Sequence, residues 1–157
     1  MVNSGVGRLA SQAGFEDKVL PELMKEFAMI TGQKPSTRTA RQSIAGFKIR
    51  EGAVVGLVTT LRGKRMVDFF DKTVNVVLPR IRDFRGITLT SVDTQGNLNI
   101  GIKDYLVFPE INAESSKVNF GVQVTVVPKR AIKNHEEAIA MYRSLGVPLK
   151  KDIRHKK

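Results

Sequence analysis

Phe120, Val122, Val124 and Val126 alternate with Asn119, Gly121, Gln123 and Thr125. Side chains of extended backbone point alternately to opposite sides, so this pattern predicts a strand with one buried and one wet face. Val54 to Leu61 is apolar on both parities and β-branched, which predicts a strand buried on both faces, broken after Leu61 by Gly63. Met1 to Val6 is short and partly apolar, and Gly5-Val6-Gly7 reads either as the end of a strand or as a tight turn. Asp93-Thr94-Gln95-Gly96-Asn97 carries turn chemistry between two apolar runs, Ile87 to Val92 and Leu98 to Ile102, so a hairpin is expected. Tyr105 to Phe108 reads as a further short extended piece.

Three stretches switch to helical spacing. Leu20, Leu23, Met24, Phe27 and Ala28 form an apolar stripe; Pro21 is tolerable only in a first turn, and Gly32 after Thr31 suits a left-handed cap. Met66, Phe69, Phe70, Val74 and Val77 predict a second helix that ends before Pro79. Asn134 is placed to cap a third, with Glu136 and Glu137 favourable in its first turn, Ala138, Met141, Tyr142 and Leu145 facing inward, and Gly146 and Pro148 ending it. Between the first helix and the Val54 strand, Lys34 to Gly52 has Pro35, several Ser and Thr, and Ala45-Gly46-Phe47, which predicts an irregular extended loop. The fold class that follows is α+β: a mixed, mostly antiparallel sheet with helices packed on one face and a long basic loop. At 157 residues, one domain spanning 1–157 accommodates all of it, with 150–157 as a flexible basic tail.

Charge narrows the function. Twenty-six Lys and Arg face fifteen Asp and Glu, for a net charge of +11. Basic composition alone also suits an anionic membrane or plain solubility, so its distribution decides. Lys34 to Arg50 contributes +5 with no acid, Arg62 to Arg85 contributes +4, and Lys150 to Lys157 contributes +4, leaving the remainder near −2. Phosphate binding needs several cations that reach one backbone together, and segregation of this kind supplies them.

Candidate chemistry is sparse. With no Cys there is neither a disulfide framework nor a thiolate metal site. No apolar run is long enough to span a bilayer, and no signal peptide is visible, so a soluble cytoplasmic protein is expected, an organellar one remaining open. His135 and His155, the only histidines, lack ligand-spaced partners and read as solvated. Asp68 and Asp71 sit beside cations at a spacing that fits surface ion pairing better than acid–base work. Catalytic and metal-binding residues are therefore expected to be none, and a cofactor none; Gly5-Val6-Gly7 lacks the later glycine and acidic residue of a dinucleotide fingerprint. Arg62 reads either as a snorkelling strand-end side chain or as a phosphate ligand, and Arg80, Arg82 and Arg85 either as a solvated bend or as guanidinium forks for phosphate. Phe47 is either a loop anchor into the core or a platform for a base or ribose.

Several segments carry a resemblance. Asn3-Ser4-Gly5-Val6-Gly7, the stretch from Gly32-Gln33-Lys34-Pro35 through Thr39-Ala40-Arg41-Gln42-Ser43-Ile44-Ala45-Gly46-Phe47-Lys48-Ile49-Arg50, Thr60-Leu61-Arg62-Gly63, Pro79-Arg80-Ile81-Arg82-Asp83-Phe84-Arg85-Gly86, Gly96-Asn97 and Phe108-Pro109-Glu110-Ile111 occur in order. Together they resemble the bacterial-type family of the fifth large-subunit ribosomal protein, over about Asn3 to Leu149. Ser4 stands where that family usually has Met, the stretch between Gly7 and Gly32 is somewhat longer, and Lys150 to Lys157 is an extension.

The resemblance implies a non-catalytic constituent of the large ribosomal subunit that binds 5S ribosomal RNA in the central protuberance. It implies RNA contact by Asn3, Gly5, Val6, Gly7, Lys34, Thr60, Arg62 and Lys64, and approach to peptidyl-site transfer RNA by a loop carrying Arg41, Ser43, Gly46, Phe47, Lys48 and Arg50. Arg80, Arg82 and Arg85 would lie toward the small-subunit head and one of its proteins. Large-subunit ribosomal RNA and neighbouring proteins are the other implied partners, and no membrane. A free-standing RNA-binding regulator is the alternative; a small phosphoryl-handling enzyme, more remote, requires an acid–base constellation that the sequence does not display.

Overall fold

The strand nearest the N-terminus becomes the middle of the sheet. A computed structural model describes residues 1–10, 14–47, 49–112, 116, 118–130, 132 and 134–150. Its strands are β1 (Val2–Gly5), β2 (Ser36–Thr39), β3 (Val54–Thr59), β4 (Leu98–Ile102) and β5 (Val122–Val126), in the spatial order β2-β3-β1-β5-β4. Every pairing between these strands is antiparallel. The short helix α1 (Gly7–Ala10) follows β1; a π-helical turn over Phe15–Val19 runs into α2 (Leu20–Thr31). After β3 come α3 (Lys64–Lys72), a second π-helical turn over Thr73–Val77 and the single turn α4 (Leu78–Arg80), and α5 (His135–Ser144) follows β5.

Alternation decides which side of the sheet is covered. Val2 and Ser4 of β1, Val122 and Val124 of β5, and Leu98, Ile100 and Ile102 of β4 are buried, while Gly5, Gln123 and Gly101 between them are exposed. Leu23, Phe27 and Ile30 of α2, Phe69 of α3, Val74 and Val77 of the second π turn, and Ala138 and Tyr142 of α5 join the buried strand residues in one apolar cluster. Each fully buried aliphatic or aromatic side chain contributes about 1.5–3 kcal/mol. Phe120 joins α2 to the Tyr105 turn, its ring 4.3 Å from Tyr105 and 6.4 Å from Phe27 between centroids. Lys72 ties three segments: its ammonium donates to the Ile30 carbonyl at 2.8 Å, pairs with Glu110 and lies 5.2 Å from the Phe69 ring. The Phe108-Pro109-Glu110-Ile111 segment thus has a packing role.

The expected α2 is found with its Gly32 cap at φ 67° and Pro21 in its first turn. Six expectations need correction. The helix begun at Lys64 does not stop before Pro79: the Leu78 N–H bonds the Thr73 carbonyl five residues back, and this wider turn gives the proline ring room in the last turn. Ile87 to Val92 is not a hairpin strand; it contains a 3₁₀ turn at Leu89–Ser91, and only Val92 bridges Leu98, while β4 pairs along its length with β5. Tyr105–Val107 is a 3₁₀ turn whose Leu106 N–H is held by the Asp104 carboxylate at 3.0 Å, not an extended piece. In α5 the Asn134 side chain makes no capping hydrogen bond, and Leu145 is 52% exposed rather than inward. The strand expected to reach Leu61 ends at Thr59, though Leu61 is still buried.

Tyr142 gives the core a measurable signature. Its hydroxyl donates to the Gly96 carbonyl at 2.7 Å, and burial pushes its phenol up to about 12. An unfolded tyrosine ionises near pH 10, so between about pH 10 and 12 only the unfolded state gains from losing the proton. Stability present below that window is lost across it, by on the order of 2–3 kcal/mol for this residue. Urea titrations at stepped pH should show that loss, and Tyr142→Phe should remove it while costing about 1–2 kcal/mol at neutral pH through the stranded carbonyl.

Candidate nucleic-acid interface

The uncovered side of the sheet is polar. Pairing aligns Ser36, Val58, Asn3, Gln123 and Gly101 in one row, and Arg38, Gly56 and Gly5 in the next. Thr125 donates to Asn99 at 2.8 Å on the same side. None of these positions is acidic, and Val58 is the one apolar side chain among them. A Cβ placed on Gly5 or Gly101 would meet nothing within 4 Å, so a ligand's backbone can approach the sheet closely there. A groove of about 720 Å³ opens beside Gly5 and Gly7, with Ile49 and Gly121 in its wall.

Register also gathers part of the expected contact set at one end of the sheet. Val2 stands opposite Thr59 and Asn3 opposite Val58, while Ser36 pairs with Val58, so Lys34 and Thr60 extend from neighbouring strands at the same edge. Lys34, Arg62 and Lys64 are exposed, and Asn3 and Thr60 are half-buried. Leu61 is buried and fixes the segment to the core; Gly63, at φ 61°, turns it into α3. The first turn of α3 holds Lys64 and Arg65 and no acid. Cations there oppose the helix dipole, by about 0.3–1 kcal/mol each at exposed sites, which marks a place where positive potential is retained against stability. The other expected residues lie apart from this end. Gly5 and Gly7 sit toward the opposite end, and the Val6 side chain is fully buried while its N–H bonds Val55 at 2.9 Å.

The Lys34 to Gly52 stretch is more ordered than an irregular loop. Its first part is the edge strand β2, all four residues exposed, and Ala40 bonds both Ala53 and Gly52. Beyond it Ile44 and Ile49 bridge each other across the 3₁₀ turn Ala45–Phe47, and the Ser43 hydroxyl accepts from the Glu51 N–H at 2.9 Å. The result is a closed finger that extends the β2–β3 pair, with Arg41, Ser43, Gly46 and Arg50 on its surface. Lys48 and the side chain of Phe47 lie outside the described residues.

The Pro79 to Gly86 segment is a built turn. The Phe84 N–H bonds the Ile81 carbonyl at 3.2 Å, Ile81 and Phe84 pack against the core, and Arg80, Arg82 and Arg85 are exposed. Asp83 takes φ 56°, a left-handed conformation that Asp tolerates. Gly86 follows at φ 91°, and the next residue is stapled to the C-terminal segment: Ile87 N–H to Pro148 and Lys150 N–H to Ile87, both 2.8 Å.

Chemistry of another kind finds little footing. Among the described residues no group of three or more His, Asp or Glu could hold a metal ion, and no helix is long and apolar enough to cross a membrane. His135, expected to be solvated, contacts the Val92 carbonyl through Nε2 at 3.0 Å; His155 lies outside the described residues.

Comparison with known proteins places this architecture. Residues 1–50 match the family model described as ribosomal protein L5, and residues 54–149 match the model of that ribosomal family's C-terminus. The large ribosomal subunit protein uL5 of Fusobacterium nucleatum is 44% identical over 151 residues, covering 96% of this chain and 79% of that protein. The uL5c protein of Gracilaria tenuistipitata is 43% identical over 147 residues, covering 94% of this chain and 79% of its own, and uL5 of Rubrobacter xylanophilus is 44% identical over 150, covering 96% and 80%. Fold, charge and likeness define a structural, non-enzymatic protein of the ribosome's large subunit. The chain belongs to the ribosomal protein L5 family, and with it to the ribosomes of the cytoplasm or of an organelle.

Two glycines separate surface from scaffold. A Cβ at Gly86 would stand 3.1 Å from the Pro148 carbonyl oxygen in a left-handed backbone, whereas one at Gly5 meets open space. Gly86→Ala should therefore lower stability by about 1–3 kcal/mol, and Gly5→Ala by no more than about 1 kcal/mol, as read from urea midpoints.

Proposed function

We propose that this ribosomal protein binds 5S ribosomal RNA in the central protuberance through the end of the sheet where Asn3, Lys34, Thr60, Arg62 and Lys64 gather. The observation that carries the reading is their convergence: cations and hydrogen-bonding groups from β1, the β2 approach and the β3–α3 junction meet at one edge with no acid among them. Gly5 extends the contact along the open face, where large-subunit ribosomal RNA can approach the backbone; Gly7 follows it beside Ile49 and Val55, and Val6 anchors that segment from below. The cations supply affinity through counterion release; the fixed polar groups supply register on the RNA.

The finger carrying Arg41, Ser43, Gly46, Phe47, Lys48 and Arg50 reaches peptidyl-site transfer RNA. Backbone contact by a basic tip suits a partner whose sequence changes every cycle. The turn carrying Arg80, Arg82 and Arg85 faces the small-subunit head, held rigid by Ile81, Phe84 and the C-terminal staple.

Filter binding tests the central contact. Arg62 is exposed and Leu61 holds its backbone, so Arg62→Ala should leave the melting temperature unchanged. It should weaken 5S ribosomal RNA binding by about 1–3 kcal/mol, the scale of lost charged hydrogen bonds. Unchanged affinity, or equal affinity of the unaltered chain for an unrelated RNA of the same length, would overturn the assignment.

A further inference from the structure

The side of α5 opposite Ala138 and Tyr142 borders a cleft. Glu136, Ile139, Ala140 and Arg143 follow one another at three- and four-residue spacing, so they share that side of the helix. Leu89 and Thr90 form the facing wall, and the space between measures about 480 Å³. The walls are tied at both ends. His135 Nε2 donates to the Val92 carbonyl at 3.0 Å and holds the start of α5 against the Leu89–Ser91 turn. Beyond the other end of the helix, the Ile87 N–H bonds the Pro148 carbonyl at 2.8 Å. A cleft fixed in this way needs little reordering when it is filled.

Its chemistry differs from the rest of the surface. Leu89 and Ile139 are half-buried and make an apolar floor, while Glu136 and Arg143 are exposed at either end. Neither of these two forms an ion pair with a described residue. The Thr90 hydroxyl donates to Thr88 at 3.1 Å, and its oxygen can still accept from a ligand's N–H. Glu137 stands next to Glu136. Two adjacent carboxylates repel a phosphate backbone, whereas an apolar floor with a rim of both charges suits a polypeptide.

Spacing defines which polypeptide. Glu136 and Arg143 are seven residues apart on the helix, a rise of about 10 Å. Alternate side chains of an extended segment point the same way, and four residues of it cover about 13 Å, a difference that the long Arg and Lys side chains absorb. We infer that the cleft docks an extended segment of another protein carrying an acidic, an apolar and a basic residue at alternate positions. The acid meets Arg143, the apolar side chain lies on Leu89 and Ile139, and the base meets Glu136. This contact does not rest on the RNA edge at Asn3, Lys34 and Arg62.

The probe is a blocked heptapeptide of glycine, aspartate, serine, leucine, serine, lysine and glycine. It has no net charge, so the basicity of the chain gives it no general advantage. Titrated into the full-length, isotopically labelled chain, it should shift the amides of Leu89, Thr90, Glu136, Ile139, Ala140 and Arg143 saturably. Serine in place of its leucine should abolish the shifts. Glu136→Lys should weaken the peptide by about 3–10-fold, the scale of an exposed ion pair turned repulsive, and shift preference to a version with aspartate in place of lysine. Glu137→Lys changes the net charge equally but lies off the cleft, so it should do neither. Arg143→Glu should shift preference to a version with lysine in place of aspartate. No saturable shift at millimolar peptide, equal binding of the serine version, or equal effects of Glu136→Lys and Glu137→Lys would each overturn the assignment. Saturating 5S ribosomal RNA should leave peptide affinity unchanged; displacement would give the cleft to RNA and overturn it too.

Discussion

The middle strand holds the rest in place. β1 is four residues long, yet it pairs with β3 on one side and β5 on the other, joining β2–β3 to β5–β4. Its ladder is reinforced by Thr125 N–H to the Met1 carbonyl at 2.8 Å and by the Ser4 hydroxyl to the Gly121 carbonyl at 2.8 Å. Because the side-chain period of a strand is two, one register places Val2 and Ser4 in the core and leaves Asn3 and Gly5 on the open side. A slip of one residue would bury Asn3 and expose Val2. The same pairing that builds the core thus fixes which polar groups face outward.

This coupling accounts for the division of labour across the molecule. Apolar burial is concentrated beneath one face of the sheet, where α2, α3 and α5 contribute Phe27, Phe69 and Tyr142. The basic segments sit on projections from it: the finger between β2 and β3, the junction ahead of α3, and the turn after α4. Each of the last two is tethered by a buried residue or a backbone staple, Leu61 for the junction and the Ile87–Pro148 bond for the turn. Cations so held lose little freedom when they meet phosphate, which keeps the cost of ordering side chains on binding low.

How far this was legible in the sequence depended on whether the signal was local. α2 was readable because Leu20, Leu23, Met24, Phe27 and Ala28 repeat at helical spacing and Gly32 stops them. The wet-and-dry alternation of β5 was equally plain. β2 was not, since Ser36-Thr37-Arg38-Thr39 at a sheet edge buries nothing and leaves no apolar trace. The 87–92 run misled because β4 finds its partner in β5, about twenty residues further on, and local patterning does not encode that choice. The candidate contact residues could be named by type and by resemblance, but the meeting of Lys34 with Thr60 and Arg62 follows only from strand register. The crossing of Lys150 over Gly86 left no sequence signal at all.

The most direct measurement is amide hydrogen exchange of the full chain, free and bound to 5S ribosomal RNA. The expected result is added protection at Asn3 to Gly5 and Thr60 to Lys64, with the amides of α2 and α5 unchanged. Protection confined to the helices, or none at the sheet edge despite saturating RNA, would contradict it.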